Sequence, residues 1–249
     1  MFDLNWLGWL AVSISAFVIG VAKTGIPGSG ILAIPLAAFA LPARVSVGFL
    51  LPLLMFADIF SVAYYRHDVQ WRNLLRLIPW TLLGIFLGYL ALDRVTDQQL
   101  RQTIAVIVVF MLGVRWLRER SREENPPIPT YWWFAALLGL LAGGASMVAN
   151  AAGPIMTIYL LAMRMPKIEF IGTNAWYFFM VNWIKAPFSL TLGLISADSL
   201  KLNLVLLPLI AFGAVAGIFA AKRIPQSLFA LIVQILAAAA ALRLLFSFP

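Results

Sequence analysis

The 249-residue sequence contains no cysteine and a single histidine, His67. Without thiols there is no disulfide, no cysteine nucleophile and no Cys-ligated metal, and one imidazole cannot assemble a histidine cluster within one chain. Neither a cofactor nor a metal is expected. Charge is scarce too, at 11% of residues, where a soluble domain carries about a quarter. The start, Met1-Phe2-Asp3-Leu4-Asn5, has no basic region, so the first apolar stretch reads as part of the fold rather than as a cleaved leader.

What fills the chain instead is apolar: 63% of residues are hydrophobic and the mean hydropathy is +0.94. Such a chain belongs in a lipid bilayer. A helix crossing about 30 Å of hydrocarbon needs about 20 apolar residues, so the length holds at most roughly ten membrane segments and no separate soluble domain. The formal net charge is +8, but 13 of the 18 cations are arginines gathered in short connections between apolar runs. That distribution is a membrane topology signal, and no nucleic-acid partner is expected.

Apolar runs fall at residues 4–22, 30–41, 45–64, 74–92 and 103–117. After the polar stretch 118–130, with its Glu123-Glu124-Asn125-Pro126-Pro127, they recur at 131–147, 153–163, 168–195, 202–221 and 228–246. The second run of each set of five is short. An offset of 124 superposes Gly20 on Gly144, Ile34 on Ile158, Leu36 on Leu160, Ala38 on Ala162, Pro42 on Pro166, Gly48 on Gly172 and Asp58 on Asn182. An offset of 129 then matches Gly84 to Gly213, Gly88 to Gly217, Ala91 to Ala220 and Arg94 to Arg223. Coincident Gly, Pro and Arg positions point to an internal duplication: a first membrane repeat over 1–118, a cytoplasmic linker over 119–130 and a second repeat over 131–249.

Cations in short loops set orientation. Arg66, Arg72 and Arg76 lie inside, Arg94 and Arg101 are offset outside by Asp93 and Asp97, and Arg115, Arg118, Arg120 and Arg122 lie inside again. In the second half Arg164 and Lys167 are internal, Asp198 and Lys201 cancel outside, and Lys222 and Arg223 are internal. The halves are therefore oppositely inserted, as in secondary transporters built from inverted repeats. The short second runs rise only about 17 Å and cannot cross. The runs before them are also short once Trp6, Trp9, Tyr131, Trp132 and Trp133 are placed at the headgroups. The expected fold is an all-α integral membrane protein of two inverted-topology repeats, each a re-entrant helical hairpin followed by three transmembrane helices. The hairpin tips, residues 23–29 and 148–152, are the foremost site candidates, because non-helical backbone at membrane depth is tolerated only in protein or beside a cavity.

The first tip reads Lys23-Thr24-Gly25-Ile26-Pro27-Gly28-Ser29-Gly30. It has glycines for close backbone approach and a helix start whose free N–H groups favour anions. It is not a phosphate loop, since G-x-x-x-x-G-K-[ST] is absent. The second tip has the same small-residue character around Asn150 and Gly153-Pro154, without a cation. Among 28 charged residues only Lys23, Asp58 and Lys185 sit deep in apolar runs. Each costs about 2.5–3.5 kcal/mol at a helix centre, so partners must offset them. Asn174, Asn182 and Lys185 fall within about 80° on a helix, one inward polar stripe. A purely structural Asp58–Lys185 ion pair is the competing use of these charges. The run 168–195 exceeds one straight crossing, and Pro187 is a candidate break. His67, beside Arg66, reads as an interfacial residue, and Gly84/Gly88 with Gly213/Gly217 as helix-packing sites.

Gly20-Val21-Ala22-Lys23-Thr24-Gly25-Ile26-Pro27-Gly28-Ser29-Gly30, Ile34-Pro35-Leu36, Gly153-Pro154, Tyr159-Leu160-Leu161 and Gly172-Thr173-Asn174 carry a likeness to a known family. Along nearly its full length the chain resembles the TauE/SafE sulfite-exporter family of membrane proteins. Where many members have only small residues in the first turn this chain has Lys23-Thr24, and Ala151-Ala152 stands where a glycine run is common. The resemblance implies two related halves with Gly-rich turns and movement, with export favoured, of sulfite or small organosulfur anions. The expectation is a secondary transporter for a small inorganic or organosulfur anion in a bacterial cytoplasmic (inner) membrane, coupled to a proton or ion gradient. Lys23 and Lys185 would supply charge, and Thr24, Ser29, Asn150, Asn174 and Asn182 hydrogen bonds. Gly25, Gly28, Gly30 and Gly153 would bring backbone donors at the two helix starts, and Asp58 would couple. An anion channel with the same residues is the alternative; a membrane-embedded enzyme is disfavoured, since neither G-x-S-x-G nor H-E-x-x-H occurs.

Overall fold

The computed structural model describes residues 4–25, 29–120 and 131–223. These residues form nine α-helices and one 3₁₀ turn, with no strand among them. The order is α1 (Trp6–Thr24), the 3₁₀ turn (Ser29–Leu32), α2 (Ala33–Ala40), α3 (Ala43–Tyr65), α4 (Trp71–Arg94), α5 (Asp97–Arg120), α6 (Trp132–Ala149), α7 (Gly153–Ala162), α8 (Lys167–Thr191) and α9 (Ala197–Arg223). The apolar run 228–246 and the linker from residue 121 lie outside the described residues.

Five helices are long and apolar enough to cross a membrane: α1, α3, α4, α6 and, over Ala197–Phe219, α9. Aromatics placed at the headgroups would leave the runs of α1 and α6 too short to cross. In the structure Trp6, Trp9, Trp132 and Trp133 are helical, so 19 and 18 residues are available. α8 also departs from expectation, running unbroken for 25 residues with Pro187 inside it. Pro187 is accommodated as Pro52, Pro79 and Pro208 are inside α3, α4 and α9: between membrane helices, neighbours and local adjustment re-satisfy the backbone groups that a proline frees.

The helices turn large apolar side chains outward as well as inward, and enclose a cluster of polar ones. Leu82, Leu83, Phe86, Leu87, Leu204, Phe212 and Phe219 are exposed on α4 and α9, while Asp58, Lys185, Asn182, Ser15 and Thr81 are buried. Apolar surface of this extent needs a lipid solvent, and the polar cluster within the otherwise apolar core is sheltered from it.

Short helices fold back on long ones, with α2 packed on α1 and α7 on α6. The tightest long-range packing joins the first half of the chain to the second, α1 against α9 and α4 against α6. Glycines make both possible. A Cβ at Gly84 would lie 2.2 Å from the Leu140 carbonyl oxygen, and one at Gly213 would lie 2.3 Å from that of Phe17. Backbones approach this closely only where no side chain intervenes, as expected of small residues between membrane helices.

Candidate functional site

The site grows from three buried charges. Lys23 lies in the last turn of α1 and Asp58 near the middle of α3, and Lys23 Nζ reaches Asp58 Oδ1 at 2.6 Å. The other carboxylate oxygen, Oδ2, accepts from Asn182 Nδ2 of α8 at 2.6 Å. The Lys23 ammonium also stands 4.1 Å from the centre of the Phe178 ring, a cation–π contact.

α3 holds this end of α1 with one polar face. Residues 58, 61 and 65 recur at helical spacing. Ser61 Oγ donates to the Lys23 carbonyl (2.8 Å), and Tyr65 OH donates to that of Thr24 (3.1 Å). Carbonyls left free at a helix end are thereby satisfied inside the protein.

Lys185 has different company. Its ammonium donates to Ser146 O (3.1 Å), Ser146 Oγ (3.0 Å) and Asn150 Oδ1 (2.6 Å), all neutral oxygens. Only 2% of the residue is exposed. Asn150 reaches it because the chain turns there: α6 ends with Asn150 in the left-handed region (φ 55°), and the Ala151 N–H bonds back to Ala145 O. Asparagine tolerates that conformation, and the bond closes a helix C-terminal motif. The Asn150 amide nitrogen donates to Val47 O (3.0 Å), tying the turn to α3.

Between these groups lies a cavity of about 60 Å³, lined by Lys23, Ser146, Asn150, Asn174, Asn182 and Lys185 among its polar residues. One water needs about 10–15 Å³ measured this way, so the space suits a few waters or one small ion. Leu54 and Phe178 form apolar wall, and Gly30 and Gly153, at the helix starts of the two turns, close it. Asn174 is buried and its Oδ1 makes no hydrogen bond. The charge count is two ammonium groups against one carboxylate, a net of +1. Burying a charge without a counterion is costly, and the dipole of α7, which begins at Gly153, adds positive potential to the same wall.

The structure therefore gathers Lys23, Asp58, Asn182, Lys185, Asn150, Asn174, Gly30 and Gly153. It does not pair Asp58 with Lys185; the carboxylate takes Lys23, because the end of α1 points at α3 while Lys185 faces the α6 turn. Thr24 is turned away from the cavity and bonds Ala214 O of α9 at 2.7 Å. Gly25 packs against the Gly217 backbone and Ser29 is buried in the 3₁₀ turn, neither lining the cavity, and Gly28 lies outside the described residues. Ser146, Leu54, Phe178, Ser61 and Tyr65 were not foreseen. The repeat offset of 124 carried a signal for four of them: it pairs Ala22 with Ser146 and Leu54 with Phe178, all cavity-lining, and Ser61 with Lys185. His67 sits exposed, accepting from Arg66 Nε at 2.9 Å.

Long apolar helices with an apolar exterior, closed around a cavity lined by lysines, mark an integral membrane protein. The family model for sulfite exporter TauE/SafE matches residues 12–244, nearly the whole chain. The chain belongs to this family of membrane transporters. No curated protein and no solved structure matches it.

Proposed function

We propose that the protein is a secondary transporter that carries a small oxyanion, of the sulfite or organosulfonate type, across the bacterial cytoplasmic membrane, coupled to a proton or ion gradient. The observation that carries this reading is Lys185, an ammonium buried among neutral oxygens at the wall of a cavity. An anion in that cavity supplies the missing counterion, and Asn182 and Asn150 flank it as polar contacts. Lys23 then has two anionic partners to choose between, the cargo and Asp58. When Lys23 turns to the cargo, Asp58 is left needing a proton, which is how the carboxylate would link anion movement to a proton gradient.

The inverted-repeat reading has support beyond the loop charges. Asp58 and Asn182, related by the offset of 124, bond each other directly. Gly30 and Pro154, related by the same offset, share the cavity wall, and Pro79 and Pro208, both inside helices, are related by 129. A site where equivalent positions meet is where two oppositely inserted halves would share cargo, with the α1–α2 and α6–α7 hairpins entering from opposite leaflets.

The test is a binding screen of sulfite, sulfate, thiosulfate, sulfoacetate and short carboxylates on detergent-purified protein, followed by flux in proteoliposomes with an imposed pH gradient. A sulfur oxyanion should bind wild type and not Lys185→Met, and its flux should follow the gradient. Equal binding by the variant would remove the cavity from the mechanism, and flux indifferent to the gradient, with single-channel currents, would make the protein a channel.

A further inference from the structure

A second, larger cavity of about 170 Å³ opens at the start of α6, lined by Arg76, Trp80, Tyr131, Trp132, Phe134 and Tyr159. We propose that it binds the headgroup of an anionic phospholipid of the inner leaflet. Arg76 is exposed and makes no hydrogen bond or ion pair with any described residue, so its five donors are open to a ligand phosphate. It sits five residues into α4, about 7.5 Å along the axis from the helix start, one turn beyond the exposed Trp71.

The surrounding rings say which anion fits. Trp80 and Trp132 stand 6.1 Å apart, and Tyr131 stacks on Trp133 at 5.9 Å. Tyr131 and Trp132 remain 65% and 73% exposed, as rings do at the headgroup level of a bilayer. A bare inorganic anion gains nothing from such walls, whereas an amphiphile uses both the guanidinium and the rings. Below the cavity the same face of α4, stepping from 76 and 80 to 83 and 87, continues as exposed Leu83 and Leu87, a track for an acyl chain. Arg66, Arg72 and Arg76 place this end of α4 on the positive, cytoplasmic side, where anionic lipids meet basic pockets between helices. The floor of the cavity is Tyr159 of α7, itself tied to α4 by its hydroxyl donating to Asn73 O at 2.9 Å. A headgroup resting there bears on the helix that begins at Gly153 beside the anion cavity.

Native mass spectrometry of purified protein exchanged into mixed phosphatidylglycerol and phosphatidylcholine micelles tests this, with thermal melts in parallel. Wild type should retain phosphatidylglycerol at least fivefold over phosphatidylcholine. Arg76→Gln should abolish that preference, Arg76→Lys should restore part of it, and Arg72→Gln, exposed one turn away and outside the cavity, should keep it. The melts separate sources: phosphatidylglycerol should raise the midpoint in wild type but not in Arg76→Gln, and inorganic phosphate should do neither. No lipid preference in wild type, a preference surviving Arg76→Gln, or equal stabilisation by inorganic phosphate would each overturn the proposal.

Discussion

Replacing Asp58 by Asn removes the one carboxylate among the three buried charges and takes the net charge around the anion cavity from +1 to +2. An anion bound on the far side of the Lys23 ammonium would sit roughly 5–6 Å from the Asp58 carboxylate, adding the 2.6 Å of that ion pair to a second charge-assisted bond of about 2.8 Å. At an effective dielectric of about 20 that separation is worth about 3 kcal/mol of repulsion, which the substitution deletes, so the anion should bind about 100-fold more tightly. The free protein should pay in stability. An asparagine offers one acceptor where the carboxylate serves both Lys23 and Asn182, and a buried cation without its counterion costs about 3–5 kcal/mol. Asp58→Asn should therefore melt lower without anion and show a larger anion-induced rise than wild type, since binding to the native state stabilises by mass action. Flux in proteoliposomes should no longer respond to an imposed pH gradient, the proton acceptor being gone. Titration calorimetry and melting curves with the anion found in the screen give the first two quantities. Weaker binding in Asp58→Asn, or flux that still tracks the gradient, would refute the assignment of Asp58 as competitor and coupling group.

Two further outcomes are expected. Asn150→Ala deletes the shortest contact of Lys185 and puts a Cβ-bearing residue without a compensating side chain at φ 55°; hydrogen bonds to charged groups are worth about 1.5–3 kcal/mol, so the melting midpoint should fall clearly, and an unchanged midpoint would remove Asn150 from the Lys185 network. Gly213→Val would press its side chain on the Phe17 carbonyl, 2.3 Å from where the Cβ must stand, so the α1–α9 pair should separate and size-exclusion profiles should broaden; a monodisperse variant with wild-type melting would show that the close approach is dispensable.

Much of the helical order was legible because membrane helices announce themselves as long apolar runs: the run 45–64 became Ala43–Tyr65 and 74–92 became Trp71–Arg94. The alignment of Asp58 with Asn182 was legible too, although the sequence could not say that they would touch. The choice of counterion was not. Lys23 and Lys185 are both deep and both basic, and which one meets Asp58 depends on how α1 and α8 are rotated about their axes, a property set by packing rather than composition. Thr24 shows the same limit. Its place in the turn marked it for the cargo, yet the close approach of α9 brings Ala214 O within reach and takes its hydroxyl. Ser146 was overlooked because a serine among Gly143, Gly144 and Ala145 looks like one more small packing residue until the Lys185 chain is laid across it.

The glycine seams have a mechanical consequence. With α1 fastened along α9 and α6 along α4, each half of the polypeptide lends its opening helix to the other, so neither half owns a complete wall. Cutting the gene at the linker and producing either fragment alone should give a piece missing its mate, and the bodies that slide past one another during turnover should be stitched from both fragments, their borders crossing the order in which the ribosome made them.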